Sequence, residues 1–166
     1  MKRAILMGMS GCGKTTLIQR LHRDALTYHK TQAVEHHLDF IDTPGEYMEI
    51  RHYYRALIVT AADADVIALV QECGTDRTWL PPAFATTFAK PVIGIVSKAD
   101  LATGPADLDF ARDILRRAGA QPVFTVSALA ATGLEPLIDY LAGEPDRSGW
   151  APATLGNEPA AQGVAP

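Results

Sequence analysis

The sequence predicts an α/β fold in which a mostly parallel sheet is covered by helices on both faces. Short β-type runs alternate with segments of helical periodicity along the chain. The clearest of these runs are apolar throughout, which is typical of strands buried on both faces. The 166 residues, 48% of them hydrophobic and 20% charged, are enough for one domain with its own core.

Strands and helices are predicted in turn from one end of the chain to the other. Strands are predicted at residues 2–7, 31–37, 38–42, 66–70, 92–96 and 122–126. Helical spacing of apolar residues predicts helices at residues 15–22, 47–62, 81–89, 105–118 and 134–141. Pro81 and Pro105 stand at helix starts, where a missing N–H is harmless, while Gly119 and Gly143 stand just after helix ends.

Residues 144–166 differ from the rest of the chain. Prolines and glycines each recur there every seven residues, a spacing that excludes a helix. The composition predicts a flexible, low-complexity tail, and the alternative is a docking peptide anchored by Trp150 and Leu155. The predicted organisation is therefore one domain at residues 1–143, followed by this tail.

Charge and hydropathy exclude two classes of partner. The net charge of −4 provides no basic field to hold nucleic acid or an anionic membrane. The most apolar region, residues 56–70, is interrupted by Asp63 and Asp65, so no membrane span is predicted. Two cysteines, Cys12 and Cys73, form no disulfide framework. We expect a cytoplasmic protein whose partners are neither nucleic acid nor membrane.

The strongest motif, GMSGCGKT, follows the first predicted strand and opens the first predicted helix. Its glycines let the backbone curl so that several N–H groups converge on phosphate oxygens. Lys14 supplies a cation to the β- and γ-phosphates, and Thr15 offers a hydroxyl to Mg²⁺. The predicted nucleotide contacts here are Gly8, Ser10, Gly11, Cys12, Gly13, Lys14, Thr15 and Thr16.

Three further residues are predicted beside the γ-phosphate. Asp42 ends a predicted strand, in the crevice where α/β sheets bind ligands, and can hold Mg²⁺ directly or through water. Gly45, three residues later, leaves the backbone free to approach the γ-phosphate. Thr31 can close over Mg²⁺ and the γ-phosphate, which would couple loop order to nucleotide state. The alternative for Thr31 is an ordinary threonine at a strand edge.

Two strand ends later in the chain are predicted to hold the base. Asp100, in the sequence Ser97-Lys98-Ala99-Asp100, can accept hydrogen bonds from guanine N1–H and the 2-amino group together. Adenine has no donor at N1 and would leave that carboxylate poorly paired. The stem of Lys98 can lie along the base, and a backbone N–H at Ser127-Ala128 can donate to guanine O6.

In this order the motifs resemble the five-motif pattern of Ras-like P-loop GTPases, over residues 2–142. The resemblance implies a three-layer G domain with a mostly parallel, six-stranded sheet containing one antiparallel strand. It also implies catalytic roles for Lys14, Thr31, Gly45 and Glu46.

The sequence departs from that pattern at two positions. Ser97 stands where Asn or Thr is usual, which predicts weaker guanine selection. Glu46 replaces the usual Gln, and because a carboxylate only accepts hydrogen bonds and adds negative charge, we expect slow hydrolysis or dependence on a partner. The alternatives for Glu46 are a role as a base, a pair with a nearby arginine or a structural role.

Four segments carry a closer resemblance. They are KTQAVE at residues 30–35, IDTPGEY at 41–47, ALIVTAADADVIALVQ at 56–71 and KPVIGIVSKADLA at 90–102. They resemble the EutP/PduV family, which comprises small P-loop proteins of ethanolamine- and propanediol-utilisation systems. This resemblance implies association with bacterial microcompartments, so that shell proteins or pathway enzymes are expected partners.

Three functions follow from these features. The first is a GTPase switch that binds Mg²⁺ and GTP and hydrolyses the nucleotide slowly, which Asp100 favours. The second is a P-loop kinase that transfers the γ-phosphate of ATP to acetate or another short carboxylate, for which Ser97 and Glu46 leave room. The third is a non-enzymatic assembly or positioning factor that docks through the tail, which the complete set of phosphate and Mg²⁺ residues disfavours.

Overall fold

Strands and helices alternate along residues 2–29 and 39–143, the part of the chain that a computed structural model describes. The elements are β1 (Arg3–Met7), α1 (Lys14–His29), β2 (Asp39–Asp42), α2 (Glu46–Glu49), α3 (Tyr54–Ala61), β3 (Val66–Glu72), β4 (Val92–Ser97), α4 (Pro105–Arg117), β5 (Val123–Thr125) and α5 (Leu134–Ala142). Short 3₁₀ turns lie at Arg51–Tyr53, Phe84–Thr87 and Ala99–Leu101. None of the helices in these described ranges is long and apolar enough to cross a membrane.

The described strands form one sheet of five strands in the order β2-β1-β3-β4-β5, and every neighbouring pair is parallel. In the register, Leu6 of β1 lies beside Asp42 on one side and Ala68 on the other. Because all five strands run the same way, their carboxyl ends meet at one edge of the sheet. The loops that carry the predicted site residues therefore begin at that edge.

Two apolar layers cover the sheet, as the uninterrupted apolar strands predict. Ile5 and Met7 face one side and pack in a cluster with residues of α3 and α4, including Leu57 and Leu115. Alternate residues of β1 and β3 face the other side, where they pack against α1 and α5. The three-layer α/β prediction is confirmed.

The strand count differs from the prediction. The sequence predicts six strands with one antiparallel, whereas the described sheet has five strands, all parallel. The strand predicted at residues 31–37 lies outside the described residues, and so does the tail predicted at residues 144–166.

The helix predicted at residues 81–89 is wrong, because the segment contains only the 3₁₀ turn Phe84–Thr87. Ala83 has a left-handed backbone with φ of 59°. Its N–H donates to the carbonyl of Arg117, and the N–H of Ala85 donates to the carbonyl of Ala118, each at 2.8 Å. These bonds satisfy carbonyls at the end of α4, so two N–H groups of the segment make tertiary contacts.

The segment predicted to be mostly helical at residues 47–62 is helical along most of its length, but a 3₁₀ turn separates α2 from α3. The N–H of Tyr53 donates to the carbonyl of Ile50 at 3.0 Å, and this separation of three residues is that of a 3₁₀ helix. The ring of Tyr53 stacks on that of Tyr47 with centroids 5.0 Å apart, which holds the turn closed. The other elements predicted within the described residues are found, some with shifted ends, and α1 continues to His29.

Candidate nucleotide-binding site

A glycine-rich loop joins β1 to α1 at the carboxyl edge of the sheet. Gly11 and Gly13 have φ of 79° and 93°, a left-handed conformation that favours glycine. A Cβ at Gly8 would lie 2.7 Å from both the Cys12 Sγ and the Val70 carbonyl oxygen. The tight curl that the motif predicts is therefore present, and a side chain would clash at Gly8 and strain the backbone at Gly11 and Gly13.

Lys14, the first residue of α1, lies beneath this loop with only 6% of its surface exposed. Its Nζ donates to the carbonyls of Gly8 at 2.8 Å and Met9 at 3.0 Å. These two bonds hold the ammonium against the loop, in the wall of a cavity. This fixed position places a positive charge where phosphate oxygens would gather.

A cavity of about 540 Å³ opens over the loop, and Thr15 and Asp42 lie next to each other in its wall. The Thr15 Oγ1 donates to the Asp42 Oδ2 at 2.5 Å, and both side chains are exposed. Other lining residues are Ser10, Gly11, Gly13, Lys14, Thr16, Thr43, Pro44 and Gly45. The structure therefore brings together the two described residues that the sequence predicts for Mg²⁺.

The turn after β2 packs directly on the phosphate loop. A Cβ at Gly45 would collide with the backbone of Ser10, which explains why glycine stands there. The Thr43 Oγ1 anchors the turn by donating to the carbonyl of Leu6 at 2.6 Å. Glu46 begins α2 directly after this contact. Thr31, the remaining predicted residue of this region, lies outside the described residues.

A second, smaller cavity of about 240 Å³ adjoins the first, and both are lined by Gly13 and Thr16. Its other walls include Ser97, Lys98 and Asp100. Its remaining lining residues are Leu17, Leu101, Val126, Ala128 and Leu129. The residues predicted for the base thus lie next to those predicted for the phosphates.

Hydrogen bonds fix the polar groups of this second cavity. The Asp100 Oδ1 accepts from the Ser127 Oγ at 2.5 Å, and the fully buried Ser127 Oγ also accepts from the N–H of Ala130 at 3.0 Å. The Ser97 Oγ donates to the carbonyl of Cys12 at 2.7 Å. The base motif is therefore joined to the phosphate loop by Ser97, and its carboxylate is held by the loop after β5.

Two supporting residues were missed by the sequence analysis. The first is Glu72, at the end of β3, whose Oε2 lies 2.6 Å from the Lys98 Nζ. Lys98 itself has a left-handed backbone with φ of 55°. Arg20 of α1 donates to the carbonyls of Ala128 at 2.7 Å and Leu129 at 3.1 Å. The position of Glu72 at a strand end could have indicated a role, whereas nothing in the sequence marks Arg20.

Burial governs the chemistry of the cysteine in the phosphate loop. Desolvation raises the pKa of the Cys12 thiol above its ordinary value, although the nearby Lys14 ammonium opposes this rise. The thiol is 2% exposed and stays protonated at neutral pH. Its surroundings therefore favour a packing role for Cys12 over a redox role.

The fold and this site together define a class. A glycine-rich loop between a buried strand and a helix, with a lysine beneath it and an aspartate at the neighbouring strand end, is the arrangement of a P-loop protein with a GTPase-like fold. The chain belongs to the PduV-EutP family, described as ethanolamine utilisation – propanediol utilisation, which it matches over residues 1–143.

Individual relatives agree with this assignment. The chain is 47% identical to the propanediol utilization protein PduV of Citrobacter freundii, over 85% of this chain and 93% of that protein. It is 35% identical to the probable acetate kinase EutP of Escherichia coli, over 86% of this chain and 90% of that protein. A crystal structure of Aquifex aeolicus Era bound to GDP and AlF4− aligns with a TM-score of 0.57 at 18% identity, over 87% of this chain and 57% of that one. This last likeness concerns the fold alone.

Proposed function

We propose that this protein binds Mg²⁺ and GTP and hydrolyses the nucleotide slowly, with loop order around the γ-phosphate following the nucleotide state. The observation that carries the proposal is the pair of adjoining cavities with Gly13 and Thr16 in common. One cavity contains cationic and N–H groups suited to phosphates, and the other contains a carboxylate suited to a base. A single nucleotide lying along α1 would occupy both.

The choice of guanine rests on Asp100. Guanine presents two donors, N1–H and the 2-amino group, and a carboxylate can accept both. Ser127 holds the carboxylate in place through one oxygen. Adenine offers no donor at N1, so an adenine base would leave a desolvated carboxylate poorly paired, which costs binding energy.

The residues around the first cavity fit a magnesium ion. Thr15 and Asp42 contribute a hydroxyl and a carboxylate, which are hard oxygen ligands of the kind that Mg²⁺ prefers. When bound, the ion neutralises charge on the β- and γ-phosphates. Lys14 adds a second positive charge, and the turn at Gly45 brings backbone close to the γ-phosphate position.

Slow hydrolysis is expected from Glu46, the residue that follows the turn at Gly45. In the sequence pattern of Ras-like GTPases, Glu46 stands where a Gln is usual, and the neutral amide of that Gln can orient the attacking water by donating and accepting. A carboxylate only accepts, and it brings negative charge toward the γ-phosphate. The intrinsic rate is therefore low, and an activating partner would raise it.

The first test is calorimetric titration of the purified full chain with GTP and with ATP, each in Mg²⁺ buffer and in EDTA. We expect GTP to bind at least tenfold more tightly than ATP, a difference of about 1.4 kcal/mol. EDTA should weaken both interactions. Equal or tighter binding of ATP would contradict guanine selection by Asp100.

A second candidate is transfer of the γ-phosphoryl group to a short carboxylate. It is favoured by the 35% identity to a protein named probable acetate kinase, together with Ser97 and Glu46 at positions where the GTPase pattern differs. A carboxylate oxygen would attack the γ-phosphorus, forming an acyl phosphate and releasing the nucleoside diphosphate. Incubation with acetate and each nucleotide, followed by hydroxamate detection of acetyl phosphate, separates transfer from hydrolysis.

We also propose association with the microcompartments of the utilisation systems for which the family is named. Shell proteins or pathway enzymes would be the partners, and residues 144–166 would be the docking segment if the tail rather than the domain is recognised. A fluorescent fusion, with and without that segment, in cells that form such compartments tests this. Diffuse fluorescence of the full chain would contradict the association.

A further inference from the structure

The side chain of Lys98 extends from the cavity assigned to the base to the end of β3. Lys98 is one of the residues that line that cavity, yet its Nζ lies 2.6 Å from the Glu72 Oε2. Between these two points the stem passes the phosphate loop, since a Cβ at Gly13 would lie 3.8 Å from the Lys98 Cε. The stem is therefore attached at both ends, by its own backbone and by its ammonium.

The backbone end of this side chain is fixed by the loop after β4. Lys98 has φ of 55° and ψ of 39°, a left-handed conformation that residues with a side chain adopt at a cost and keep only where their surroundings impose it. Its carbonyl accepts from the N–H of Leu101 at 2.9 Å, and the N–H of the next residue, Ala99, donates to the carbonyl of Val126 at 3.1 Å. These contacts determine the direction in which the side chain leaves the backbone.

The ammonium end is fixed by the sheet. Glu72 is the last residue of β3 and lies opposite Ser97 in the register. The N–H of Cys73 donates to the carbonyl of Ser97 at 2.9 Å, and the carbonyl of Glu72 accepts from the Gln71 Nε2 at 3.3 Å. The backbone that carries the carboxylate is thus held on both sides, and only 32% of the carboxylate side chain is exposed to solvent.

We infer that Glu72 is a positioning residue for the nucleotide, which orders the Lys98 stem against the base by holding its ammonium. Glu72 lines neither of the two cavities assigned to the nucleotide, so it acts through Lys98 rather than by touching the ligand. A free lysine side chain has many rotamers, and confining them when a ligand binds reduces affinity. A stem that is already held loses less freedom on binding, and the affinity is correspondingly higher.

This role differs from that of Asp100. The methylene groups of the Lys98 stem contact the face of a base, and guanine and adenine both have such a face. Asp100 instead reads the edge of the base, where the two purines differ in their donors. Glu72 should therefore increase the affinity for GTP and ATP by the same factor and leave the ratio between them unchanged.

The anchoring of Lys98 is tested first, without nucleotide, by heteronuclear NMR of the lysine ammonium groups in the full chain. An ammonium held by a carboxylate exchanges its protons with water slowly and gives a resolved signal, which is assigned to Lys98 by its loss in Lys98→Met. Glu72→Met should remove this signal, whereas Asp113→Asn, which breaks an exposed pair with Arg116, should keep it. A Lys98 signal that persists in Glu72→Met, or that is missing from the wild-type protein, would overturn the anchoring.

A double-mutant cycle then tests the effect on binding, which rests on the proposed nucleotide binding. Glu72→Met should weaken GTP and ATP about fivefold each, because the stem is released. In the Lys98→Met background the same substitution should change either affinity by less than about twofold. A fivefold loss in both backgrounds would mean that Glu72 does not act through Lys98, and no loss in either would mean that it does not act on binding; both results would overturn the inference.

Further measurements separate this role from a merely structural one. Circular dichroism confirms folding, and Glu72→Gln, which keeps the shape of the side chain, replaces Glu72→Met should that variant unfold. A change in the ratio of GTP to ATP affinity in Glu72→Met would mean that Glu72 reads the edge of the base, and would overturn the inference. Wild-type protein that binds neither nucleotide would contradict the proposed function, whereas normal wild-type binding with no effect of Glu72→Met would contradict the positioning role alone.

Discussion

The Ser97 Oγ donates to the carbonyl of Cys12 at 2.7 Å, and this bond joins the base-binding motif to the phosphate loop. Both residues are buried, Ser97 with 4% and Cys12 with 2% of their surface exposed. The sequence analysis treated Ser97 as a weakened base contact. The bond to Cys12 also favours a positioning role for Ser97, because it joins the two elements proposed to bind the base and the phosphates.

Ser97→Ala should therefore weaken GTP and ATP binding by similar factors. The substitution leaves the buried carbonyl of Cys12 without this partner, at a cost of about 1 kcal/mol, or roughly fivefold in affinity if the loop relaxes in the free protein. Calorimetry with both nucleotides measures the effect. Loss of GTP binding with unchanged ATP binding would show that Ser97 reads the base directly.

Asp100→Asn should change which base is bound. An amide in place of the carboxylate can still accept from Ser127, so the loop should keep its arrangement. The amide N–H of the variant side chain then points toward the guanine 2-amino group, and two donors repel each other. Xanthine carries an oxygen in place of that amino group and can accept the hydrogen bond. We expect GTP affinity to fall about a hundredfold, or some 2.7 kcal/mol, and XTP to bind more tightly than GTP.

Competition between GTP and XTP for binding, in the wild-type protein and in Asp100→Asn, measures this change. Asp113→Asn is the matched control, since Asp113 is an exposed residue of α4 with 68% of its side chain accessible. Retained GTP preference in Asp100→Asn would mean that the base is read elsewhere.

Lys14→Met should remove nucleotide binding while keeping much of the buried volume. The Lys14 ammonium is held by the carbonyls of Gly8 and Met9, and charge-assisted bonds to phosphate of the kind it would make contribute about 1.5–3 kcal/mol each. Two such bonds predict at least a hundredfold loss of affinity. Equilibrium binding of a fluorescent GTP analogue measures it, and exposed Lys90→Met serves as the control. Tight binding by Lys14→Met would remove the phosphate-loop assignment.

Glu46→Gln should raise the single-turnover rate of GTP hydrolysis. A neutral amide can both donate and accept, and it carries no negative charge. We expect an increase of about tenfold, with little change in GTP affinity. Phosphate release from preloaded protein measures the rate. A lower rate in the variant would identify Glu46 as a base in the reaction.

The fold was predictable because the apolar strands leave few arrangements open. Once β1, β3 and β4 are buried on both faces, a parallel sheet follows, and with it the meeting of Gly8, Asp42 and Ser97 at one edge. The candidate site was predictable to the same extent, since its residues stand directly after strands.

Contacts between distant side chains could not be predicted in this way. Glu72 meets Lys98 because β3 continues beyond the apolar run and ends opposite Ser97 in the register. The helix predicted at residues 81–89 is wrong because Ala83 and Ala85 donate to the end of α4 instead of to their own segment. In both cases a tertiary partner, invisible to local periodicity, determines the conformation.

The phosphate-loop cysteine yields the last prediction. Desolvation raises the pKa of Cys12, so the thiolate, which is the reactive form, is scarce at neutral pH. Alkylation of Cys12 by iodoacetamide at pH 7.5 should be at least about tenfold slower in the folded protein than in urea. Mass spectrometry of the digested protein follows the residue directly.

The same shift predicts how stability depends on pH. A thiol whose pKa is raised by folding contributes stability that is fully present below its unfolded pKa, near 9.0. That contribution is lost as the pH rises toward the folded pKa, because the unfolded chain then loses its proton first. The wild-type protein should thus lose more stability between pH 8 and pH 10 than Cys12→Ala does, as measured by urea denaturation. A reactive Cys12 at neutral pH, or identical pH profiles, would contradict burial of the thiol beneath the loop.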